Sequence, residues 1–135
     1  MNRDREYMTS KENERRKREH HILLYSNARK IEKAFPEIEK IEISYRKGHN
    51  CIFGNIEKEG TLTFTPHSED IFVIDCLNPE CTSFGYDLKN EIRTMIHEHK
   101  TEIKGEQKCV GQEAHDHPEQ NCGGSLKYAI RIFYK

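Results

Sequence analysis

Residues 71–81 read Ile-Phe-Val-Ile-Asp-Cys-Leu-Asn-Pro-Glu-Cys, and this stretch decides how we expect the chain to fold. Its first part is apolar and β-branched, which is typical of a buried strand, while Asn78 and Pro79 favour a turn. Cys76 and Cys81 lie on either side of that turn, so the reversal of the chain lets both thiols point at one spot. Two converging thiols are half of the ligand set of a structural zinc site.

The residues before this stretch predict further strands. Apolar and polar residues alternate over 41–46, and residues 61–65 alternate in the same way with β-branched side chains, as half-buried strands do. The glycine-containing segment 47–59 predicts a loop. Because residues 66–70 have the composition of a turn, we expect 61–65 and 71–76 to pair as a hairpin.

The residues after the stretch predict a helix and two more strands. Leu88, Ile92 and Met95 recur at helical spacing, so we expect a helix over about residues 87–99 with Asp87 as its N-cap. Strands are predicted at 101–109 and 125–134. The expected fold is therefore α+β, with a mainly antiparallel sheet of about five strands and two helices.

A second pair of cysteines lies beside the last two strands. Cys109 ends one of them and Cys122 precedes the other, so pairing of the strands brings the two thiols side by side. The glycines that follow each cysteine let the backbone turn and aim N–H groups at a metal-bound sulfur. The sequence therefore predicts one structural zinc ion, bound by Cys76, Cys81, Cys109 and Cys122.

Other roles for the cysteines and neighbouring histidines stay open. Buried free thiols and a disulfide framework are the two alternatives to a metal site. His115 or His117 can replace one of the thiolates as a ligand, although a solvated loop histidine is the commoner case. The fifth cysteine, Cys51, is interpreted as a bystander rather than as a redox-sensitive or spare ligand.

Several of these segments resemble one group of known proteins. The likeness covers about residues 60–135 and rests on residues 72–76, 78–81, 85–88, 105–109 with Gly111, and Cys122 with 126–130. In this pattern the chain is similar to small bacterial proteins with a zinc-ribbon-like four-cysteine centre. The resemblance implies that the four cysteines bind zinc, and it brings no established activity. The C-x4-C spacing and the helix between the cysteine pairs differ from ordinary zinc ribbons.

The N-terminal residues predict a basic helical arm. Thr9 and Glu12 have the spacing of a capping box, and no glycine or proline interrupts the chain until Pro36, so we expect one helix over about residues 10–34. The half from 11 to 21 lacks apolar residues, which predicts that only the second half packs on the core. We therefore divide the chain into an arm, 1–36, and a zinc-binding α+β domain, 37–135.

Charge separates the arm from the domain. Residues 1–34 hold ten Lys and Arg against six Asp and Glu, whereas the remainder holds twelve against seventeen. A basic cluster on a helix can contact phosphates, but interspersed glutamates favour a solvated helix instead. We expect a protein partner or a second copy of the chain, with nucleic acid as the alternative. The residues that would contact nucleic acid are Arg15, Arg16, Lys17 and Arg18.

The sequence contains no signal for a membrane or for catalysis. The longest apolar run has four residues, and no secretory signal is visible, so we expect a cytoplasmic protein. His97 and Glu98 are not followed by the second histidine of a zinc protease, and a centre with four thiolates has no open position for substrate. We assign no catalytic residue and expect a protein-interaction or regulatory module, with a nucleic-acid-binding accessory as the alternative.

Overall fold

A four-stranded antiparallel sheet forms the centre of the computed structural model, which describes residues 9–51, 54–78, 81–109 and 123–135. Its strands are β1 (Ile38–Cys51), β2 (Gly54–Phe64), β5 (Glu102–Lys108) and β6 (Gly124–Tyr134), in the order β2-β1-β6-β5. A second, two-stranded sheet pairs β3 (Val73–Ile74) with β4 (Tyr86–Asp87). The helices are α1 (Ser10–Ser26), α2 (Ile31–Ala34) and α3 (Lys89–His97). The described residues thus confirm an α+β fold with antiparallel sheets.

One face of the main sheet carries the apolar core. Ile41 and Ile43 of β1 stand opposite Ile132 and Ile130 of β6, and all four side chains are buried. This arrangement follows from the period of two, because every second residue of a strand points to the same face. The buried apolar side chains of the core are Ile31, Ile38, Ile41, Ile43, Phe72, Ile74, Tyr86, Leu88, Ile92, Met95, Leu126, Ile130 and Ile132.

Helix α3 was predicted from its apolar spacing, and the structure confirms it. Leu88, Ile92 and Met95 are buried along one side of the helix. The N-cap is Leu88 rather than the predicted Asp87. Asp87 still contributes, because its carboxylate accepts a hydrogen bond from the Lys89 N–H at 2.9 Å. The predicted strands β5 and β6 are also confirmed, and they pair with each other.

Two predictions about the strands before residue 76 are wrong. The segment 47–59, predicted as a loop, lies largely within the long hairpin of β1 and β2, whose register runs from Ile41 opposite Phe64 to Cys51 opposite Gly54. Strand β2 therefore pairs with β1, and β3 pairs with β4 instead of forming the predicted hairpin with 61–65. Gly60 lies inside β2, opposite Tyr45 of β1. The Tyr45 ring occupies the space that a Cβ at position 60 would need, so glycine fits there.

The single helix predicted over residues 10–34 is wrong as well, since the chain leaves the helix between Ser26 and Ile31. Asp70, which is 5% exposed, accepts a hydrogen bond from the Arg29 N–H at 2.9 Å and donates its own N–H to the Arg29 carbonyl at 2.8 Å. The Ile31 N–H donates to the Ser68 carbonyl at 2.9 Å. These bonds replace helical ones, so contacts made by residues distant in sequence override the local helix propensity.

The same carboxylate fixes the start of α3. Lys89 Nζ forms an ion pair with Asp70 Oδ2 at 3.1 Å. Burial alone would raise the pKa of Asp70, but the hydrogen bonds from Arg29 and Lys89 outweigh it and hold this pKa below its usual value. As a charged group, Asp70 therefore joins the segment after α1, at Arg29, to the start of α3, at Lys89. No helix within the described residues is both long and apolar enough to cross a bilayer.

Candidate metal centre

Three cysteines from separate segments converge beside the two-stranded sheet. The Sγ atoms of Cys76, Cys81 and Cys109 all lie within 4.8 Å of one another, and those of Cys81 and Cys109 are 3.2 Å apart. A disulfide has an S–S distance of about 2.05 Å, so Cys81 and Cys109 are not joined, and none of the three cysteines forms a disulfide. In a tetrahedral zinc site with bonds of about 2.3 Å, the sulfurs are about 3.8 Å apart. The observed spacing therefore suits three ligands of one metal ion.

Two of the three cysteines lie at the ends of strands, and the third lies in a loop between strands. Cys76 comes two residues after β3, and Cys109 directly follows β5. The Cys109 N–H donates to the Gly124 carbonyl at 2.9 Å, which extends the pairing of β5 with β6 as far as the cluster. Cys81 belongs to the loop that leads from β3 to β4; residues 76–85 are called the cysteine loop below, and 79 and 80 lie outside the described part. The two sheets thus meet at the cluster.

Gly124 lets β6 pass close to the sulfurs. A Cβ built on Gly124 would lie 2.9 Å from Cys76 Sγ, 2.9 Å from the Tyr86 hydroxyl and 3.3 Å from Cys109 Cβ. The residue before it, Gly123, has φ of 73°, a conformation that favours glycine. The sequence indicated that these glycines serve the site, and the structure gives the reason at Gly124, where a side chain has no room.

Ser83 belongs to the cluster, although the sequence did not single it out. Its backbone N–H donates to Cys81 Sγ at 3.3 Å, and its Oγ lies 3.2 Å from Cys81 Sγ and 3.4 Å from Cys109 Sγ. Donors of this kind stabilise a thiolate and fix its direction. The Cys-x-Ser spacing was the available signal, but it is too common to be informative by itself.

The environment of Cys81 favours its ionised form. Hydrogen bonds with the Cys109 thiol and then with the Cys76 thiol hold the pKa of Cys81 far below its usual range. Burial acts in the opposite direction, and the hydrogen bonds with Ser83 add to the lowering of this pKa. A thiolate is the form of cysteine that binds metal ions. Three cysteine sulfurs arranged in this way can hold a metal ion.

The remaining residues predicted for this centre lie outside the described part of the chain. Cys122 is one of them, and so are the alternative ligands His115 and His117. Their roles stay predictions. Cys51 ends β1, where its backbone pairs with Gly54, but its side chain is also outside the described part.

Helix α1 docks on the cysteine loop through its polar first half. Asn13, only 1% exposed, donates from Nδ2 to the Cys81 carbonyl at 2.9 Å, and Arg16 donates to the Thr82 carbonyl at 3.3 Å. The Arg16 guanidinium lies 4.7 Å from the centre of the Phe84 ring, on which His20 stacks at 3.9 Å. The sequence predicted that only the second half of this helix packs on the core, whereas the structure attaches its first half to the cysteine loop. Hydrophobic spacing could not reveal contacts that side chains make with loop backbone.

These contacts divide the basic cluster of α1 into two pairs. Arg15 forms an ion pair with Glu19 at 3.1 Å, and Arg16 is engaged with the cysteine loop. Lys17 and Arg18 make no hydrogen bond or ion pair with any residue that the structure describes. They line a groove instead. Two of the four residues predicted to contact nucleic acid thus have partners within the described residues, and the nucleic-acid contact itself stays a prediction.

The groove runs between α1 and the strand that enters the cysteine loop. It has a volume of about 730 Å³ and is lined by residues within 17–25, 71–77 and 83–85; it is called the α1–β3 groove below. Cys76 and Ser83 are among the lining residues, so the groove adjoins the cysteine cluster. The metal centre and this surface thus share the cysteine loop.

Comparisons with known proteins add no assignment to these features. No protein-family model, no curated protein and no solved structure matches the chain.

Proposed function

We propose that the protein binds one zinc ion through Cys76, Cys81, Cys109 and Cys122, and that this structural centre supports a surface for binding another protein. The observation that carries the proposal is the convergence of three sulfurs within 4.8 Å. Thiolates so close repel one another, and burying their charge is unfavourable unless a cation lies between them. A metal ion removes both problems at once.

Zinc suits this ligand set better than other common ions. Magnesium and calcium prefer oxygen ligands, whereas thiolates select zinc, copper(I) and iron–sulfur centres. Structural zinc sites are commonly built from four cysteines. A colourless centre distinguishes zinc from iron bound by four thiolates, which absorbs visible light.

Cys122 is proposed as the fourth ligand because of its position in the sequence. It precedes Gly124 by two residues, and two residues of chain span no more than about 7 Å. Gly124 itself lies against Cys76 and Cys109, because a Cβ on it would be 2.9 Å from Cys76 Sγ and 3.3 Å from Cys109 Cβ. His115 and His117 are the alternatives, and they are separated from Gly124 by nine and seven positions in the chain.

A structural role for zinc fits the surroundings of the cluster. A centre with four thiolates has no open coordination site, so it does not activate water or substrate. The cysteine loop instead connects the two sheets with helix α1 and forms part of the α1–β3 groove. These features support an interaction or regulatory module, and cysteines kept for metal binding are typical of a reducing compartment such as the cytoplasm. The division of the basic cluster supports a nucleic-acid-binding role less well.

Metal content, mass and thiol count test the proposal together. We expect the freshly purified full chain to carry one zinc per chain in a native mass spectrum, with no visible absorption, and to have five alkylatable thiols after denaturation. Absence of metal, with a mass reduced by pairs of hydrogens, would overturn the proposal in favour of disulfides.

Two matched cysteine variants test the ligand assignment. Cys122→Ser should lose the zinc or bind it much more weakly, because three thiolates and a weak ligand replace four thiolates. Cys51→Ser should retain the zinc. The opposite pair of results would show that Cys51, rather than Cys122, completes the site.

A further inference from the structure

The α1–β3 groove has an apolar lining that the protein's own core does not use. Along the strand, Phe72 and Ile74 are buried in the core, whereas Ile71 and Val73 line the groove, as the alternation of a strand requires. On the helix side the lining includes Ile22, which is 65% exposed. Aliphatic surface of this kind, left open between two elements, is typical of a binding groove.

More of the exposed apolar surface lies on the same walls. Tyr25 is 47% exposed on the helix side, and Phe84 is 38% exposed on the cysteine loop. Together with Ile22, these are three of the five large hydrophobic side chains that are exposed within the described residues. The exposed apolar residues are thus concentrated at one place rather than scattered over the surface.

The edge of the groove is positively charged. Lys17 and Arg18 line it and have no ionic partner among the residues that the structure describes. His20 and His21 line it too, and Asp75 is the one acidic residue in the described lining. Lys47 offsets part of that acidity, because its Nζ donates to the Asp75 carbonyl at 3.0 Å. A ligand complementary to this groove has acidic groups beside an apolar face.

We propose that the α1–β3 groove binds a peptide segment of another protein that carries acidic residues next to an aliphatic or aromatic face. This inference deepens the proposed function and rests on it, since one wall of the groove is the cysteine loop. The helix side, residues 17–25, extends about 12 Å, which is the length of about two helical turns. The aliphatic lining favours apolar side chains over nucleobases, which stack on aromatic rings, because the rings of Phe84 and Tyr25 are already in contact with those of His20 and His21.

Selection from random peptides tests the proposal while the natural partner is unidentified. The zinc-loaded full chain is immobilised and presented with a phage library of random 12-residue peptides. We expect enriched peptides to combine Asp or Glu with Leu, Ile or Phe. No enrichment, or enrichment of basic peptides, would overturn the proposal.

Charge reversal then locates the binding site. An enriched peptide, made synthetically with a fluorescent label, is titrated by anisotropy against the parent and two double variants. Lys17→Glu with Arg18→Glu should weaken binding at least tenfold, because it opposes acidic groups with new negative charges. Lys11→Glu with Lys104→Glu changes the net charge equally outside the groove and should weaken it less than twofold. Equal effects of the two double variants would overturn the assignment.

Two controls separate the possible failures. A labelled 12-nucleotide uridine RNA is titrated in parallel, and tighter binding of this RNA than of any selected peptide, lost in the groove variant, would assign the groove to nucleic acid instead. Zinc content is measured on the same samples. A zinc-loaded protein that selects no peptide overturns the groove alone, whereas a protein without zinc overturns the metal centre whichever peptides it binds.

Discussion

The main sheet and the cysteine loop are held by different kinds of interaction. In the sheet, β1 and β6 bury isoleucines against Leu88, Ile92 and Met95, so the free energy comes from apolar burial. In the cysteine loop the contacts are between sulfurs, and between the polar side chains of α1 and loop carbonyls. Within the described residues the buried apolar core does not extend through this loop, and a metal ion can supply the missing stabilisation there.

The largest expected effect comes from removing one sulfur. Cys81→Ser should abolish stoichiometric zinc binding and increase amide hydrogen exchange in the cysteine loop and α1, because the free energy of binding a structural metal is also folding free energy. In small zinc peptides it amounts to about 10–16 kcal/mol. Metal analysis and hydrogen-exchange mass spectrometry measure the two effects.

A core variant provides the matched comparison. Ile130→Ala removes a fully buried side chain of β6 and should lower the free energy of unfolding by about 2–5 kcal/mol while the zinc stays bound. Denaturant titration gives the loss of stability. If Cys81→Ser keeps its metal, Cys81 is not a ligand. If both variants loosen the same residues, the main sheet and the cysteine loop are not independently stabilised.

The difference between the regions explains which parts of the fold the sequence predicted. Helix α3 and strand β6 were predicted because the period of their apolar residues records the face that each buries. The same reasoning missed the break after Ser26, which depends on hydrogen bonds between Arg29 and Asp70, 41 positions apart in the chain. It also missed the strand around Gly60, whose missing side chain is compensated by Tyr45 across the hairpin.

The candidate site was predictable to a similar degree, for a similar reason. Residue type and strand ends placed Cys76, Cys81 and Cys109 together, and the structure brings these three into one cluster. Ser83 and Asn13 were missed because they contribute through polar contacts, which leave no period in the sequence. Such contacts become visible only once the loop has a conformation.

A smaller effect is expected at Gly124, where the sheet meets the cluster. Gly124→Ala places a methyl group 2.9 Å from Cys76 Sγ and should weaken zinc binding by about 3 kcal/mol, through strain in a packed site. Competition with a zinc chelator measures the affinity. Gly48→Ala is the control, because its methyl group meets only the Ser125 hydroxyl at 3.1 Å and the Ile56 carbonyl at 4.0 Å. Equal affinities of the two variants would contradict the close approach of β6.

Asp70 tests a charged contact outside the cluster. Asp70→Asn should lower the free energy of unfolding at pH 7 by about 2 kcal/mol, because it removes a charge-assisted hydrogen bond and the ion pair with Lys89. The folded state holds the pKa of Asp70 below its usual value of 3.8, so its contribution is fully present above pH 3.8 and is lost as the pH falls toward the folded value.

The measurement is therefore the difference in the free energy of unfolding between the parent and Asp70→Asn as a function of pH. Acid also weakens metal binding by thiolates, but it does so in both proteins, so denaturant titrations of parent and variant are compared at each pH from 7 to 3. The gap should stay constant at neutral pH and narrow below about pH 4. A gap that widens in acid would mean that the folded state raises the pKa of Asp70 instead.

The smallest expected effect asks whether α1 depends on the cysteine loop. Asn13→Ala removes the hydrogen bond to the Cys81 carbonyl and should lower stability by about 1 kcal/mol, with faster exchange of the α1 amides. Glu14→Ala, at the exposed neighbouring position, should change neither. Because the proposed metal centre would hold the loop in place, the Asn13→Ala effect should disappear in a Cys81→Ser background, as the effects of residues acting through one contact are not additive. If the effect survives in that background, α1 docks without the cysteine cluster and does not depend on the cysteine loop's metal.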